Sequence, residues 1–538
     1  MTGHVSERSL AGRVLVVDDE RPNRLYLRKL LSARGCEVIE AENGPVALER
    51  AHGMRPDLIL VDVVMPGMDG FELCGKLKSD PRCAEVPVVM VTAKTKIDDL
   101  ARAFEMGALD YIRKPFNPRE LVLRVGNALE LKRSNESLQR WKTRVSNELR
   151  LAGTIQRTFF SDKPFFSSSF EIRIAYQPCM DVGGDAFDIV ELPSGRLCVY
   201  VGDVSGHGVA PAMISTYLKA SFGELVRNMP DAGPADLCNE LHARFRQSVD
   251  ASSYYATFFV AIHDPETNVW RCMNCGHPSP LLVRDGKSGA ADLFEEGGGV
   301  PIGFPMLGDA PYRREDEVAV QAEEGTYFVL YTDGILEARH EASGELCGRD
   351  SLRALAGEVL ARENEFNKAR GLLREVQQRG YSLEGDDCTS VCIYMKRKRE
   401  VALERFSPPE LEEVSRLAAE TEGLLKDRGW SEDAAASARL LLMEHGANIV
   451  YHSELAEDET FWVQINLGDE VCRIVAIDRG REWNIDRRSR RGDEEDMLAE
   501  GGRGLAIIDA VADYVERYRI NHSNVSFFVI RREQRETE

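Results

Sequence analysis

The first 130 positions alternate short apolar runs with longer stretches of helical periodicity. VLVV at 14–17, LILV at 58–61 and VPVVMV at 86–91 are too short for helices and too uniformly apolar for strands with one wet face. Such runs predict strands buried on both sides, hence a parallel α/β sheet over 10–130. From Arg119 the pattern changes: Leu, Glu, Arg and Gln dominate, and no proline follows until Pro164. That predicts one helix over about 117–160. Leu131, Leu138, Val145 and Ala152 fall seven apart, with Leu149 and Ile155 near the same face, although Asn135 and Lys142 interrupt the stripe. This spacing suits a dimerising coiled coil, and equally an amphipathic helix lying on its own domain. Further on, LCVYVGD (197–203) and YFVLYTD (327–333) read as strands that each deliver an acid at their end. Last, SEDAAASARLLLMEHGANIVYH (431–452) predicts a helix with Ser431 as N-cap, VCRIVAID (471–478) a strand, and GGRGLAIIDA (501–510) a glycine-rich turn opening a helix.

At 538 residues the chain exceeds one hydrophobic core, and the pattern divides it into 10–130, a helical linker 131–164, 165–396 and 400–538. An apolar share of 43% and a charged share of 29% are those of soluble domains. No stretch approaches the roughly 18 apolar residues of a membrane span, and MTGHVSERSL lacks the apolar core of a signal peptide. A cytoplasmic location without membrane association is therefore expected, and there the 12 scattered cysteines read as free thiols. The net charge of −21 argues against nucleic acid as a partner. Two basic clusters, 396–399 and 487–491, read as an exposed junction and a solvated loop, the second followed at once by acids at 493–496.

Asp18 and Asp19 close the first predicted strand, Asp62 the third and Thr92 the fourth, while Lys114 ends the short DYIRK run. Carboxyl ends of parallel strands share one crevice. Carboxylates gathered there offer hard oxygen ligands to Mg²⁺, and one beside a cation can accept a phosphoryl group. Asp18-Asp19, Asp62 followed by VVMPGMDG, Thr92-Ala93 and Lys114-Pro115 resemble the response-regulator receiver pattern. The resemblance implies a flavodoxin-like fold with Asp62 as phosphoacceptor, Asp18, Asp19 and Asp62 around Mg²⁺, and Thr92 and Lys114 reading the phosphoryl group. It also implies Tyr111 as an aromatic switch, a cis Lys114–Pro115 bond, and an upstream histidine kinase or phosphotransfer protein as donor.

In the middle of the chain GGDAFD supplies Asp185 and Asp188, GDVSGHG Asp203, YTDGILEA Asp333 and Glu337, and GDDCTS Asp386 and Asp387. Carboxylates without a Cys/His ligand set point to Mg²⁺ or Mn²⁺ rather than zinc. Two such cations can clamp a phosphate ester and activate a water, so no protein nucleophile is needed. Cys272 and Cys275 form a CxxC with no second pair, which reads as packing, and His207 and His277 read as orienting or structural. These motifs, with NCGHPSPLL at 274–282, resemble the metal-dependent type 2C protein phosphatases, and more closely their bacterial branch in sporulation and general stress. The resemblance implies a four-layer α-β-β-α fold in which Asp203 bridges two cations. Asp185 and the Val204 carbonyl would complete one site, Asp333 and Asp386 the other, with Asp188, Asp387 and Thr389 in support. The implied substrate is phosphoserine or phosphothreonine on an anti-sigma-factor antagonist.

Glu444 and Asn448 share a helix face, Asp478 and Gly480 follow a strand, and Gly502 and Gly504 open a helix whose N–H groups can bind phosphate. In that order they resemble the boxes of the GHKL ATPase superfamily, in the compact form of its anti-sigma-factor Ser/Thr kinases. The resemblance implies a Bergerat-type α/β sandwich binding ATP. Asn448 would hold Mg²⁺, Asp478 the adenine amino group, and Glu444 would activate the attacking hydroxyl, with Gly480, Gly502 and Gly504 along the nucleotide. Residues 487–491 and the acids after them would form the lid. The expected assembly is a receiver selecting between phosphatase and kinase on one antagonist, as a homodimer through the linker helix. Two alternatives stand beside it: a phosphatase whose last domain only binds the partner, and a non-enzymatic sequestering protein.

Overall fold

The computed structural model describes residues 10–92, 97–249, 254–284, 290–292, 299–305, 307–308, 310–362, 365–455, 459–481, 503–520 and 523–532. It divides into two compact units after Glu148, inside one continuous helix.

In the first unit β1 (Gly12–Val17), β2 (Cys36–Ala41), β3 (Leu58–Asp62), β4 (Val88–Thr92) and β5 (Asp110–Arg113) alternate with α1 (Arg21–Ser32), α2 (Gly44–Met54), α3 (Gly70–Ser79) and α4 (Ile97–Glu105). The sheet order is β2-β1-β3-β4-β5 and every pairing is parallel. The central strands β3 and β4 are buried along their whole length, as their apolar runs require. Asn43 caps α2 by accepting from the Val46 N–H at 3.0 Å, and Asp69 caps α3 by accepting from Glu72 at 2.8 Å. Gly70 has a steric reason: a Cβ there would lie 2.4 Å from the Asp62 carbonyl oxygen. The helix α5 (Pro118–Phe159) begins in this core, with Leu121, Val125, Ala128 and Leu129 buried. Leu131, Leu138 and Ile155 of its seven-residue stripe are exposed, whereas Gly153 and Gln156 near its end are buried.

The second unit opens with two antiparallel sheets. β6 (Phe165–Phe166), β7 (Phe170–Gln177), β12 (Leu281–Arg284), β13 (Ala290–Asp292), β15 (Thr326–Tyr331) and β18 (Cys388–Met395) form one, in the order β13-β12-β15-β18-β7-β6. β8 (Asp185–Glu191), β9 (Leu197–Val204), β10 (Ala256–Asp264), β11 (Val269–Cys275) and β14 (Val318–Gln321) form the other, in the order β14-β11-β10-β9-β8. A short ribbon pairs β16 (Arg339–His340) with β17 (Tyr381–Ser382). Phe259, Trp270 and Phe328 pack between the sheets. Helices α6 (Val209–Asn228) and α7 (Pro234–Ser248) cover one sheet. The single turn α8 (Asp333–Leu336), α9 (Gly348–Ala361) and α10 (Lys368–Gln378) lie over the other, which makes four layers.

The last sheet, from β19 (Val401–Ser407), β20 (Phe461–Leu467), β21 (Val471–Asp478), β22 (Tyr514–Ile520) and β23 (Ser523–Arg531), has the order β19-β20-β21-β23-β22. One face packs α11 (Leu411–Asp427), α12 (Glu432–His452) and α13 (Arg503–Val511), giving the expected two-layer sandwich. Ser431 caps α12, accepting from Ala434 at 3.2 Å. The other face is covered from the preceding domain: Phe166 stacks on Phe527 at 5.3 Å among Trp462, Val475 and Val529. Arg173 lies 4.9 Å from the Phe166 ring and 4.4 Å from that of Phe527, ion-paired to Glu171 and Glu516.

Of the exposed junction expected at 396–399, Lys398 and Arg399 are exposed, but Lys396 is corrected: it is 7% exposed, held between the turn after β6 and β20. Its ammonium donates to the Ser167 carbonyl at 2.7 Å and to Gln464 Oε1. Burial lowers its pKa from 10.5 to about 8. Between those values the unfolded chain binds a proton that the folded chain has released, so stability rises with pH there. Relative to a Lys396→Met variant, the wild type should gain up to roughly 3 kcal/mol across that interval. Melting temperatures measured from pH 7 to pH 10 would then draw together or cross, and parallel curves would contradict the burial of this charge.

Candidate functional site

The carboxyl ends of β1 and β3 bring Asp18, Asp19 and Asp62 within 4.8 Å of one another, Asp18 and Asp62 buried and Asp19 exposed. Lys114, at the end of β5, reaches Asp18 Oδ2 at 2.8 Å and Asp62 Oδ2 at 2.9 Å. Asn23 and the Glu20 N–H also donate to Asp18, and Arg24 donates to the Asp18 and Asp19 carbonyls. Burial raises the Asp62 pKa against the lowering effect of Lys114. Thr92 is buried at the end of β4, where its carbonyl accepts from the Lys114 N–H at 2.7 Å; the Lys114–Pro115 bond is cis. Tyr111 is half-buried, edge-on to Phe104 at 6.3 Å with Arg124 over its ring. Three carboxylates and one lysine fit a single Mg²⁺ and an incoming phosphoryl group.

In the second unit, β8 and β9 place Asp185 directly opposite Asp203. Asp185 is fully buried; its Oδ2 accepts from Thr389 Oγ1 at 2.5 Å and Thr332 Oγ1 at 3.0 Å, while Oδ1 has no partner. Burial, then the charges of Asp185, Asp333, Asp386 and Asp387, raise the pKa of Asp203. Burial and Asp386 likewise raise Asp333 to about 6. No lysine or arginine is among the groups that set these shifts. A Cβ on Gly184 would lie 3.2 Å from the Val204 carbonyl and 3.6 Å from Asp203 Oδ1, so both oxygens face the same loop. The tightest grouping is different from the expected one: Cys179 Sγ and one oxygen each of Asp386 and Asp387 lie within 4.8 Å of one another. The structure does not draw Asp185, Asp203 and Asp333 into so small a cluster. A wide, uncompensated ring with an orphaned buried oxygen fits divalent cations.

The supporting positions are accounted for by hydrogen bonds. Asp387 accepts from the Cys179 N–H at 2.8 Å and from the Gly184 N–H, tying the two acidic loops together. Asp188 is paired with Lys219 at 3.0 Å. His277 is buried, with its Nδ1 3.0 Å from Thr257 Oγ1 and its pKa lowered by burial to about 3; His207 is exposed. Cys272 and Cys275 are buried in β11.

In the last domain, a Cβ on Gly504 would lie 2.9 Å from Glu444 Oε2 and 3.6 Å from both side-chain heteroatoms of Asn448, so these three share one place. Among the described residues, Asn448 Nδ2 is buried without a hydrogen-bond partner. Asp478 is buried at the end of β21, its Oδ1 accepting from the Gly480 N–H at 3.0 Å and Asn524 Nδ2 at 2.8 Å. Gly480 abuts Ser453, where a Cβ would come 2.1 Å from the carbonyl oxygen. The unpartnered amide and buried carboxylate suit Mg²⁺–ATP. Gly502 and the lid residues 487–496 lie outside the described residues.

Several side chains were not foreseen: Thr332, Cys179 and above all Gln156. Its Nε2 donates to the Gly183 carbonyl at 2.8 Å, and its Oε1 accepts from the Gly183 N–H at 3.0 Å. Nearby, a Cβ on Gly153 would lie 1.8 Å from the Asp181 carbonyl oxygen. The end of α5 is thus clamped to the loop carrying Asp185. Nothing in the sequence distinguishes Gln156 from the other polar residues of α5.

Three family models match the chain: the response regulator receiver domain at 14–126, stage II sporulation protein E (SpoIIE) at 193–396 and the histidine kinase-like ATPase domain at 407–526. The chain therefore joins a receiver domain, a SpoIIE-type, type 2C-like phosphatase domain and a kinase-like ATPase domain. These regions follow one another along the chain in that order. The phosphate regulon transcriptional regulatory protein PhoB of Pseudomonas aeruginosa is 45% identical over 112 residues, 21% of this chain and 49% of that protein. Histidine kinase P4 of Formosa agariphila is 35% identical over 159 residues, 30% of this chain and 11% of that protein. The chain thus spans half or less of these curated relatives. The crystal structure of the RsbU and RsbW domains of Rv1364c from Mycobacterium tuberculosis is similar with a TM-score of 0.40 at 20% identity, covering 68% of this chain and 93% of that one. Among the described residues, no helix is long and apolar enough to cross a membrane.

Removing the Gln156 clamp should loosen the Asp185 loop without touching a reacting atom. Gln156→Ala is expected to weaken Mn²⁺ binding and lower phosphate release by roughly ten- to a hundredfold. Mn²⁺ titration followed by paramagnetic resonance checks this, and unchanged affinity would restrict Gln156 to fold stability.

Proposed function

We propose that the chain dephosphorylates phosphoserine or phosphothreonine on an anti-sigma-factor antagonist, that its last domain phosphorylates the same protein, and that Asp62 selects between them. The observation that carries this reading is the convergence of Asp185, Asp203, Asp333 and Asp386, with the Asp185 Oδ1 buried and without a hydrogen-bond partner among the described residues. Two Mn²⁺ or Mg²⁺ ions at that ring would supply charge neutralisation and an activated water. Asp203, between the other acids, would bridge them; Asp185 and the Val204 carbonyl would hold one, Asp333 and Asp386 the other. Thr332 and Thr389 keep Asp185 oriented, and Asp387 locks the loops. In the last domain Asn448 would hold Mg²⁺, Asp478 the adenine amino group, and Glu444 would take the proton of the attacked serine hydroxyl. Gly480, Gly502 and Gly504 would line the nucleotide.

In the receiver, Asp62 accepts the phosphoryl group from an upstream histidine kinase or phosphotransfer protein beside Mg²⁺ on Asp18 and Asp19. Thr92 and Lys114 then bind its oxygens. Running both outputs together would hydrolyse ATP without net change, so a selector is needed, and phosphorylation is assigned the role of switching the phosphatase on. The exposed stripe of α5 supports dimerisation through that helix.

The full chain, given Mn²⁺ and a phosphoserine antagonist or peptide, should release phosphate. Asp203→Asn should lower the rate by roughly a hundredfold or more, and Asp62→Asn should abolish the response to a small phosphodonor with Mg²⁺. Equal rates in wild type and Asp203→Asn would remove the phosphatase reading. Separately, Mg²⁺–ATP should raise the wild-type melting temperature and leave Asp478→Asn unmoved. No shift in the wild type would leave the last domain as a module that only binds the partner.

A further inference from the structure

We propose that Arg519 is a positioning residue for the nucleotide base: acting through Asn524, it holds Asp478 as the acceptor that takes a 6-amino purine and turns away a 6-oxo one. This rests on the reading of Asp478 as the adenine contact and adds to it the residues that set base selection. The three side chains stand in one row across the last sheet. Asp478 on β21 lies directly opposite Asn524 on β23, and Asn524 lies directly opposite Arg519 on β22. Side chains opposed in this way share a face of the sheet and meet. Asp478 is 2% exposed and Asn524 5%, so neither can turn to water for its hydrogen bonds.

The hydrogen bonds run in one direction along the row. Arg519 Nη1 donates to Asn524 Oδ1 and to the Gly480 carbonyl, each at 2.8 Å. A guanidinium carries donors only, so the Asn524 amide must face it with its oxygen. Its Nδ2 is thereby turned the other way, donating to Asp478 Oδ1 at 2.8 Å and to the Arg481 carbonyl at 2.9 Å. The Gly480 N–H adds a second donor to Asp478 Oδ1 at 3.0 Å. Reversing the amide would set its oxygen against the carboxylate and its hydrogens against the guanidinium, and Arg519 prevents both.

Burial raises the pKa of Asp478, while the donors from Asn524, Gly480 and Ser453 and the charge of Arg519 lower it. An ionised carboxylate only accepts, so it bonds an amino group at the purine 6-position. A 6-oxo group brings a second acceptor to the same place and leaves both unpaired, which a buried polar site penalises heavily. A protonated or turned carboxyl group can instead donate to that oxygen, and the distinction is lost. Arg519 therefore bears on which base is taken, through Asn524 and the Gly480 turn.

The test titrates the full chain with the Mg²⁺ complexes of ATP and of inosine triphosphate, which carries a 6-oxo group, in a calorimeter. Circular dichroism shows which variants are folded. The wild type should favour ATP by about a hundredfold or more. Arg519→Met should narrow that ratio by roughly tenfold, and Arg519→Lys, which restores a donor and a positive charge, should recover much of it. Asn524→Leu removes the step through which Arg519 acts, should narrow the ratio in the same way, and stands in if Arg519→Met does not fold. A merely structural role would weaken both nucleotides alike, so a wild-type ratio in the folded variant overturns the proposal. A wild type that binds both nucleotides equally rejects base selection but keeps the nucleotide site, and one that binds neither rejects the ATP reading and this proposal with it.

Discussion

Like charges brought together at strand ends are the constraint on which both acidic sites depend. Each carboxylate is drawn out of water by the sheet that carries it, and each makes its neighbours harder to ionise. The two domains resolve this differently. In the receiver, Lys114 bonds Asp18 and Asp62 at 2.8 and 2.9 Å, so the chain itself sets one positive charge against the three carboxylates. One small cation and a transient phosphoryl group can then be added and removed. In the phosphatase domain burial and neighbouring acids are the main influences raising Asp185, Asp203 and Asp333. Cations bound among these acids would favour their charged forms.

Holding such a ring in register requires backbone to come very close to backbone. Glycine makes this possible: a Cβ on Gly334 would lie 2.1 Å from the Asp387 carbonyl, and one on Gly183 would lie 2.8 Å from Asp387 Oδ2. The hydroxyls of Thr332 and Thr389 then fix one oxygen of Asp185 and leave the other for a ligand. The last domain uses the same device, with Gly504 set against Glu444 and Asn448.

Much of this was legible in the chain. Apolar runs of four to six residues marked three of the parallel strands, and the acids that ended the first and third marked the sites, because strand ends are where a sheet delivers side chains. Ser431 announced the start of α12, and the structure caps it there. What the chain concealed depends on contacts distant in sequence. Lys396 looks like the first residue of a solvated basic cluster, and only its contacts with Ser167 and Gln464, both distant in sequence, account for its burial. The heptad positions Leu131 and Leu138 caught the eye on α5, yet the functional contact belongs to Gln156, a polar residue off that stripe. Cys179 carried no signal until the loop placed it beside Asp386 and Asp387.

The short segment from Gly153 to Phe166 links both output domains. Gly153 and Gln156 press on the loop that carries Asp185, and Phe160 enters the core of the phosphatase sheets. A few residues later Lys163 donates to the Arg519 carbonyl, the Pro164 carbonyl accepts from Tyr518 Oη at 2.9 Å, and Phe166 stacks on Phe527. Arg173 reinforces the same contact, paired at once with Glu171 of its own domain and Glu516 of the next. A buried charge left without either partner would cost several kcal/mol, so the two domains do not behave as modules on a loose tether. The end of α5, the loop that carries Asp185 and the covered face of the ATPase sheet are therefore held by one continuous set of contacts.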